Sequence, residues 1–181
     1  MKEISLHALD IAQNSVTAGA SNLDLRLEED GEGVLTLTVI DDGRGMSPEL
    51  LARVTDPFAT TRTTRKMGLG IPLLRLSAEQ TGGNVSIEST EGVGTTVRAV
   101  FHTDHIDCPP VGDMGSTVSL LVQGSAQMEL RYTRRTPRGA FTLDTRELRA
   151  QLGPDVPLSE PEVALWIRDY VREQEREICE N

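Results

Sequence analysis

Apolar and polar positions follow two different periods over residues 3–102. Residues 3–19 carry Leu6, Leu9, Ala12 and Val16 at helical spacing, with Gly19 as the stop. Residues 22–29 switch to a period of two, with Leu23, Leu25 and Leu27 on one side. Residues 34–40 repeat that pattern with Leu35, Leu37 and Val39, and the turn Asp30-Gly31-Glu32-Gly33 joins the two runs as an antiparallel hairpin. Asp41 therefore falls at a strand end. Ser47 before Pro48 is an N-cap with a first-turn proline, starting a short helix through about Val54. Residues 55–67 are polar and read as a loop. Gly68, Leu69 and Gly70 open a second long helix, with Pro72 in its first turn and Gly82-Gly83 as its end. Leu73, Leu76 and the residues around Ala78 are its expected inward face. Two more alternating runs, Asn84–Ser89 and Thr95–His102, are joined by Glu91-Gly92-Val93-Gly94.

The order is α-β-β-α-α-β-β with antiparallel hairpins. It predicts an α/β two-layer sandwich, a mixed sheet covered by helices on one face. It is not the βαβ alternation of a Rossmann fold, and no Gly-x-x-x-x-Gly-Lys-Ser/Thr loop occurs. Cys108-Pro109-Pro110 and further chain breakers mark residues 104–116 as a linker. Beyond it, Met114 to Val122 suggest a helix, and Met128 to Leu143 a second hairpin around Thr136-Pro137-Arg138-Gly139. Asp144 and Ser159 start two more helices, the last with Val163, Trp166, Ile167, Tyr170, Val171 and Ile178 at helical spacing. The expected division is a domain over 1–104 and a small α+β extension over 105–181.

A net charge of −10 and a pI near 4.8 argue against broad binding to nucleic acid or an anionic membrane, which needs basic surface. With one Trp, two Tyr and three Phe, a stacking platform for single-stranded nucleic acid is not expected. No apolar run is long enough to span a membrane, and the N-terminus lacks the core of a secretion signal, so a cytoplasmic location is expected. Cys108 and Cys179 lie far apart and read as free thiols.

The candidate chemistry lies between Ile40 and Ile71. An acidic residue past a strand is followed by two glycine clusters, with Arg62, Arg65 and Lys66 between them. Glycine allows close backbone approach to a ligand, and successive N–H groups or a helix start make an anion site. A carboxylate near one cluster and cations near the other suit a ligand with a donor end and a multiply charged end. A purine nucleotide is such a ligand.

Together these stretches resemble the GHKL ATPase superfamily, which includes gyrase B, heat-shock chaperone and mismatch-repair ATPases and histidine kinases. The likeness covers roughly residues 4–103. Asp10 to Ala20, with Asn14, is similar to that family's N-box; Asp41-Asp42-Gly43-Arg44-Gly45-Met46 looks like its first glycine box. Pro57-Phe58-Ala59-Thr60-Thr61-Arg62 resembles the phenylalanine box of histidine kinases. Gly68-Leu69-Gly70-Ile71 looks like the second glycine box, and Gly94-Thr95-Thr96 the Gly-Thr step on a late strand. The resemblance implies a Bergerat-type ATP-binding fold in which Asp41 accepts a hydrogen bond from the adenine amino group. It implies that Gly43 and Gly45 pack against the purine, that Met46 lines the pocket, and that Thr96 helps fix the adenine. Asn14 would hold Mg²⁺. Thr60 to Lys66 would form a short ATP lid with Arg62, Arg65 and Lys66 near the phosphates, and Gly68 and Gly70 would offer N–H groups at a helix start.

Three departures qualify this expectation. Asp10 stands where ATP hydrolases of the superfamily usually carry Glu, so a catalytic base there is shorter by roughly 1.5 Å, and about 1 Å of misplacement can cost around 10²-fold in rate. Lys66 replaces the first glycine of the second box. The dimerising helix pair with a phosphoacceptor histidine is absent. The expected function is therefore Mg·ATP binding with slow hydrolysis, or with γ-phosphate transfer to a separate partner protein, as in the anti-sigma factor kinases. The alternative is an ATP-switched binding module with little turnover.

Overall fold

A computed structural model describes residues 3–56 and 69–180. Helix α1 (Ile4–Thr17) leads into strands β1 (Asn22–Glu29) and β2 (Val34–Asp41). Their turn is closed by the Asp30 carboxylate, which accepts the N–H groups of Glu32 and Val34 at 2.9 Å. Helix α2 (Pro48–Thr55) begins where Ser47 Oγ accepts from the Leu50 N–H, at the cap the Ser-Pro pair predicts. Helix α3 (Gly70–Gln80), strands β3 (Asn84–Thr90) and β4 (Gly94–His102) and helix α4 (Met114–Gly124) follow. Strands β5 (Glu129–Thr136) and β6 (Gly139–Asp144) and helices α5 (Thr145–Leu152) and α6 (Pro161–Glu180) complete the described chain.

The six strands among the described residues form one sheet in the order β3-β4-β2-β1-β5-β6. Every pairing is antiparallel except β1 with β5, which is parallel. Cross-strand partners share a face, so the registers Leu25↔Val39, Leu37↔Ala99, Leu25↔Tyr132 and Tyr132↔Leu143 define a single apolar side. These residues are buried and belong to one core with Ile4, Ile11, Leu74, Val118, Leu121 and Ile167 from the helices. The opposite face carries Asp24, Arg26, Glu28, Thr36, Thr38 and Arg98 and stays partly or fully exposed. The expected two-layer sandwich is the observed architecture. The hairpin β5–β6 extends the same sheet, and the crossover that a parallel pairing requires is supplied through α4. Among the described residues no helix is long and apolar enough to cross a membrane.

Three helices keep part of their expected inward face and turn other expected positions outward. In α1 the buried positions are Ile4, Ser5, His7, Ala8, Ile11, Ala12 and Ser15, whereas Leu6 is 44% exposed. The buried polar residues His7 and Ser15 find partners on α3 and β2. His7 Nε2 lies 3.1 Å from Ser77 Oγ, in a buried contact. In α3 the buried residues are Leu74, Ser77 and Ala78, and Leu76 faces out. In α6 they are Ala164, Ile167 and Val171, and Trp166 lies on the surface stacked on Tyr170.

The far end of α6 meets β5 through polar groups. Arg134 is buried on the core side of β5 and donates to the Leu27 and Arg135 carbonyls and to Glu29. Tyr132 Oη donates to Glu175 at 2.6 Å; burial pushes that carboxyl above its ordinary range, opposed by the Tyr132 hydrogen bond and by Arg134. Nearer the helix start, Asp113 caps α4 by accepting from the Ser116 N–H and hydroxyl, and pairs with Arg172 of α6.

The Arg172 hydrogen bond, helped by Ser116 and opposed by partial burial, holds the Asp113 carboxyl well below the usual range. A depressed carboxylate contributes stability above its unfolded value, near 4, and loses it as pH falls toward the folded value. Asp113→Ala should therefore cost about 1–2 kcal/mol at pH 7, mostly as lost cap because the pair is solvent-screened. Urea unfolding at pH 7, 5 and 3 should show the gap to wild type closing only below about pH 4.

Candidate functional site

Asp41 ends β2 on the core-facing side of the sheet, and its carboxylate is fixed from two directions. Ser15 Oγ of α1 donates to Oδ2 at 2.6 Å, and the Gly43 N–H donates to Oδ1 at 2.9 Å. Ser15 is 2% exposed and Asp41 half-buried, so this is a partly buried charge-assisted bond, of the class worth about 1.5–3 kcal/mol. The neighbouring Asp42 serves the fold instead. It accepts from the Ser21 and Asn22 N–H groups and from Asn22 Nδ2, tying the β2 end to the β1 start. Burial pushes its carboxyl up, but those hydrogen bonds outweigh it and carry it below the ordinary range.

The turn after Asp41 needs glycine at two places. A Cβ on Gly43 would come 2.8 Å from Ala18 Cβ and 3.0 Å from Asp41 Oδ1. Gly45 has φ +68°, and a Cβ there would fall 2.1 Å from the Thr90 carbonyl oxygen. Both glycines press the turn against protein backbone: Arg44 N donates to the Ala18 carbonyl, Gly92 N to the Arg44 carbonyl and Met46 N to Ser89 Oγ. Their small size therefore first serves the packing of this turn between α1 and the β3–β4 connection.

A cavity of about 370 Å³ opens beside Asp41, within the range of small-molecule sites. Its polar wall holds Asn14, Ser15, Thr17, Asp41, Arg44 and Thr95; its apolar wall holds Ile11, Val39, Met46, Leu50, Ile71 and Val97. Helix α1 therefore lines one side, the β2 and β4 ends the floor, and the turn after Asp41 with α2 the other side. Such a cleft suits a flat ring among aliphatic side chains with a hydrogen-bonding edge at Asp41, while Asn14 lies exposed on α1.

Of the residues singled out in sequence, Asn14, Asp41, Gly45, Met46 and Ile71 line this cavity, and Gly43 braces Asp41 from behind. Leu69 and Gly70 form the start of α3, outside the lining. Asp10 is also outside it: half-buried, it lies against the start of α3, where a Cβ on Gly70 would come 3.3 Å from Asp10 Cβ. Thr96 requires a correction. Strand alternation sends Thr95 and Val97 into the cavity and Thr96 to the opposite sheet face, between Ile40 and Glu88. Thr95 is Asp41's cross-strand partner and is itself held by Ser89 Oγ at 2.8 Å. Phe58, Thr60, Thr61, Arg62, Arg65, Lys66 and Gly68 lie outside the described residues. The sequence reading missed Ser15, Thr95 and Arg44. Ser15 directly follows Asn14, and strand parity from Val97 identifies Thr95.

Comparison with known proteins bears on the same segment. Residues 1–105 match the family model described as "Histidine kinase-, DNA gyrase B-, and HSP90-like ATPase". The histidine protein kinase DivJ of Caulobacter vibrioides is 43% identical over 70 residues, covering 36% of this chain and 12% of that protein. The sensor histidine kinase ZraS of Salmonella typhimurium is 32% identical over 72 residues, covering 40% of this chain and 15% of that protein. The chain thus spans only a small part of the length of these relatives. A crystal structure of the N-terminal domain of a DNA repair protein superposes with a TM-score of 0.50 at 14% identity. It covers 80% of this chain and 52% of that one, a likeness of fold.

The turn's packing makes a local prediction. Gly45→Ala combines a positive φ with a backbone overlap, and should cost about 2 kcal/mol or more, read as a lower urea midpoint. A variant as stable as the wild type would contradict the crowding at Thr90.

Proposed function

The chain belongs to the histidine kinase-, DNA gyrase B- and HSP90-like ATPase family, and on that premise we propose that its cavity binds Mg·ATP for slow hydrolysis or for γ-phosphate transfer to a separate protein. The observation that carries this reading is Asp41: a carboxylate fixed by two donors, facing a cavity of suitable size, with Asn14 on the same wall. With Ser15 and Gly43 occupying part of its acceptor capacity, the carboxylate presents its remaining lone pairs in a fixed direction. A purine amino group is the matching donor. Met46, Leu50, Ile71 and Val97 give aliphatic contact to the ring, and Thr95 adds a hydroxyl beside the carboxylate.

The donor set fits magnesium bound together with the nucleotide. Among the described residues no group of three or more His, Cys, Asp or Glu is arranged to hold a metal. A cation bound with the nucleotide would take most of its ligands from phosphates and water, as Mg²⁺ does, with the Asn14 amide oxygen as protein ligand. When bound, the ion would neutralise phosphate charge. Arg62, Arg65 and Lys66, with Thr60 and Thr61, are assigned to the phosphates on sequence grounds. Phosphoryl transfer depends mainly on such positioning and charge.

One observation favours the alternative, a module that binds ATP with little turnover. Asp10, the residue in the place of the catalytic base, does not line the cavity. Nucleotide would then act by ordering a partner-binding surface. Release or transfer of labelled γ-phosphate separates the two readings, and an Asp10→Asn variant with unchanged turnover removes Asp10 from the chemistry.

By isothermal titration, Asp41→Asn should weaken ATP binding by about 10- to 100-fold, the loss of one charge-assisted bond. Asn14→Ala should instead abolish the gain that Mg²⁺ gives. Wild-type protein that ignores adenine nucleotides would end the proposal.

A further inference from the structure

Helix α1 has no side-chain N-cap and no acidic residue in its first turn, so its leading N–H groups depend on partners from elsewhere. Those partners come from more than a hundred residues later. The Ile4 N–H donates to the Pro110 carbonyl at 2.9 Å, and the Ser5 N–H to the Val111 carbonyl at 2.8 Å. Thr117 Oγ1 of α4 donates to the Ser5 carbonyl at 3.0 Å; both residues are buried. Between these contacts stands Gly112, with φ +77°, where a Cβ would fall 2.2 Å from Glu3 Oε2 and 2.5 Å from Ser5 Oγ. Met114, Val118 and Leu121 of α4 then join Ile4, Ala8 and Ile11 of α1 in the core.

We propose that Cys108–Thr117 is a positioning strap for α1, and that through α1 it sets the metal end of the nucleotide site. This rests on the Mg·ATP reading above. A helix is stiff along its axis, and Asn14 lies about 15 Å from Ile4 on the same rod. Anchoring the first turn by three hydrogen bonds fixes the helix's rotation and its advance along the sheet. Asp41 is carried by β2, whose place is set by pairing with β1 and β4. Loosening the strap therefore displaces Asn14 relative to Asp41, and the metal-linked part of binding suffers before the purine-linked part. Thr117 and Gly112 are positioning residues that touch no ligand.

The test uses the full chain with Thr117→Val, which keeps the shape but loses the donor, Thr117→Ser, which restores it, and Gly112→Ala. ATP affinity is titrated with and without Mg²⁺, and amide hydrogen exchange is followed along α1. Expected are a loss of about tenfold in the Mg²⁺ enhancement for Thr117→Val, typical for disturbing a ligand's supporting contact, with metal-free affinity little changed. Thr117→Ser should recover it, and exchange in the first turn of α1 should rise by about tenfold or more in Thr117→Val and Gly112→Ala. If wild type binds and Thr117→Val keeps the full Mg²⁺ response, or loses both affinities equally, the strap proposal is overturned. A wild type that binds no nucleotide overturns the proposed function, and with it the role given to the strap.

Discussion

The hydrogen bond between Ser15 and Asp41 joins the two structural halves of the site. Asp41 arrives on a strand and Ser15 on a helix, and a partly buried 2.6 Å bond to a carboxylate ties the two together. The same helix carries Asn14 one residue earlier, on the same cavity wall as Ser15. Breaking this contact would leave the carboxylate held by the Gly43 N–H alone.

That dependence explains why the later part of the chain matters to a cavity it does not line. Strand β5 adds to the sheet beside β1, in parallel, and brings α4 and α6 over the apolar face next to α1. The sheet's core side is then covered continuously from α3 to α6. At the far end the buried Arg134 meets the half-buried Glu175, an arrangement that stabilises only while each keeps its partners. The aromatic series Tyr132, Phe141, Tyr170 and Trp166 runs from that buried end toward the surface of α6.

Much of this was legible because its physics is local. Alternation marks the strands, Ser47-Pro48 the start of α2, Asp144 the cap of α5, and the stretches around Asn14 and Asp41 the two sides of one cavity. What misled was contact with distant partners. Leu6 and Leu76 are expected inward by spacing, yet His7 and Ser77 hold buried positions, in hydrogen-bond contact with each other. Thr96, expected at the site by resemblance, lies on the other sheet face from Thr95, because a shift of one residue on a strand reverses the face.

The sequence by itself determined which residues are apolar at which period, where backbone must turn through glycine, and which side chains can accept, donate or carry charge. Those are properties of residues and near neighbours. Tertiary structure alone decided which side of α1 faces the sheet, that Ser15 rather than solvent meets Asp41, and that residues 110 and 111 cap a helix beginning at residue 4. Each of these depends on groups brought together across long stretches of chain, and polar groups are committed to partners only when packing removes the water that would otherwise serve them.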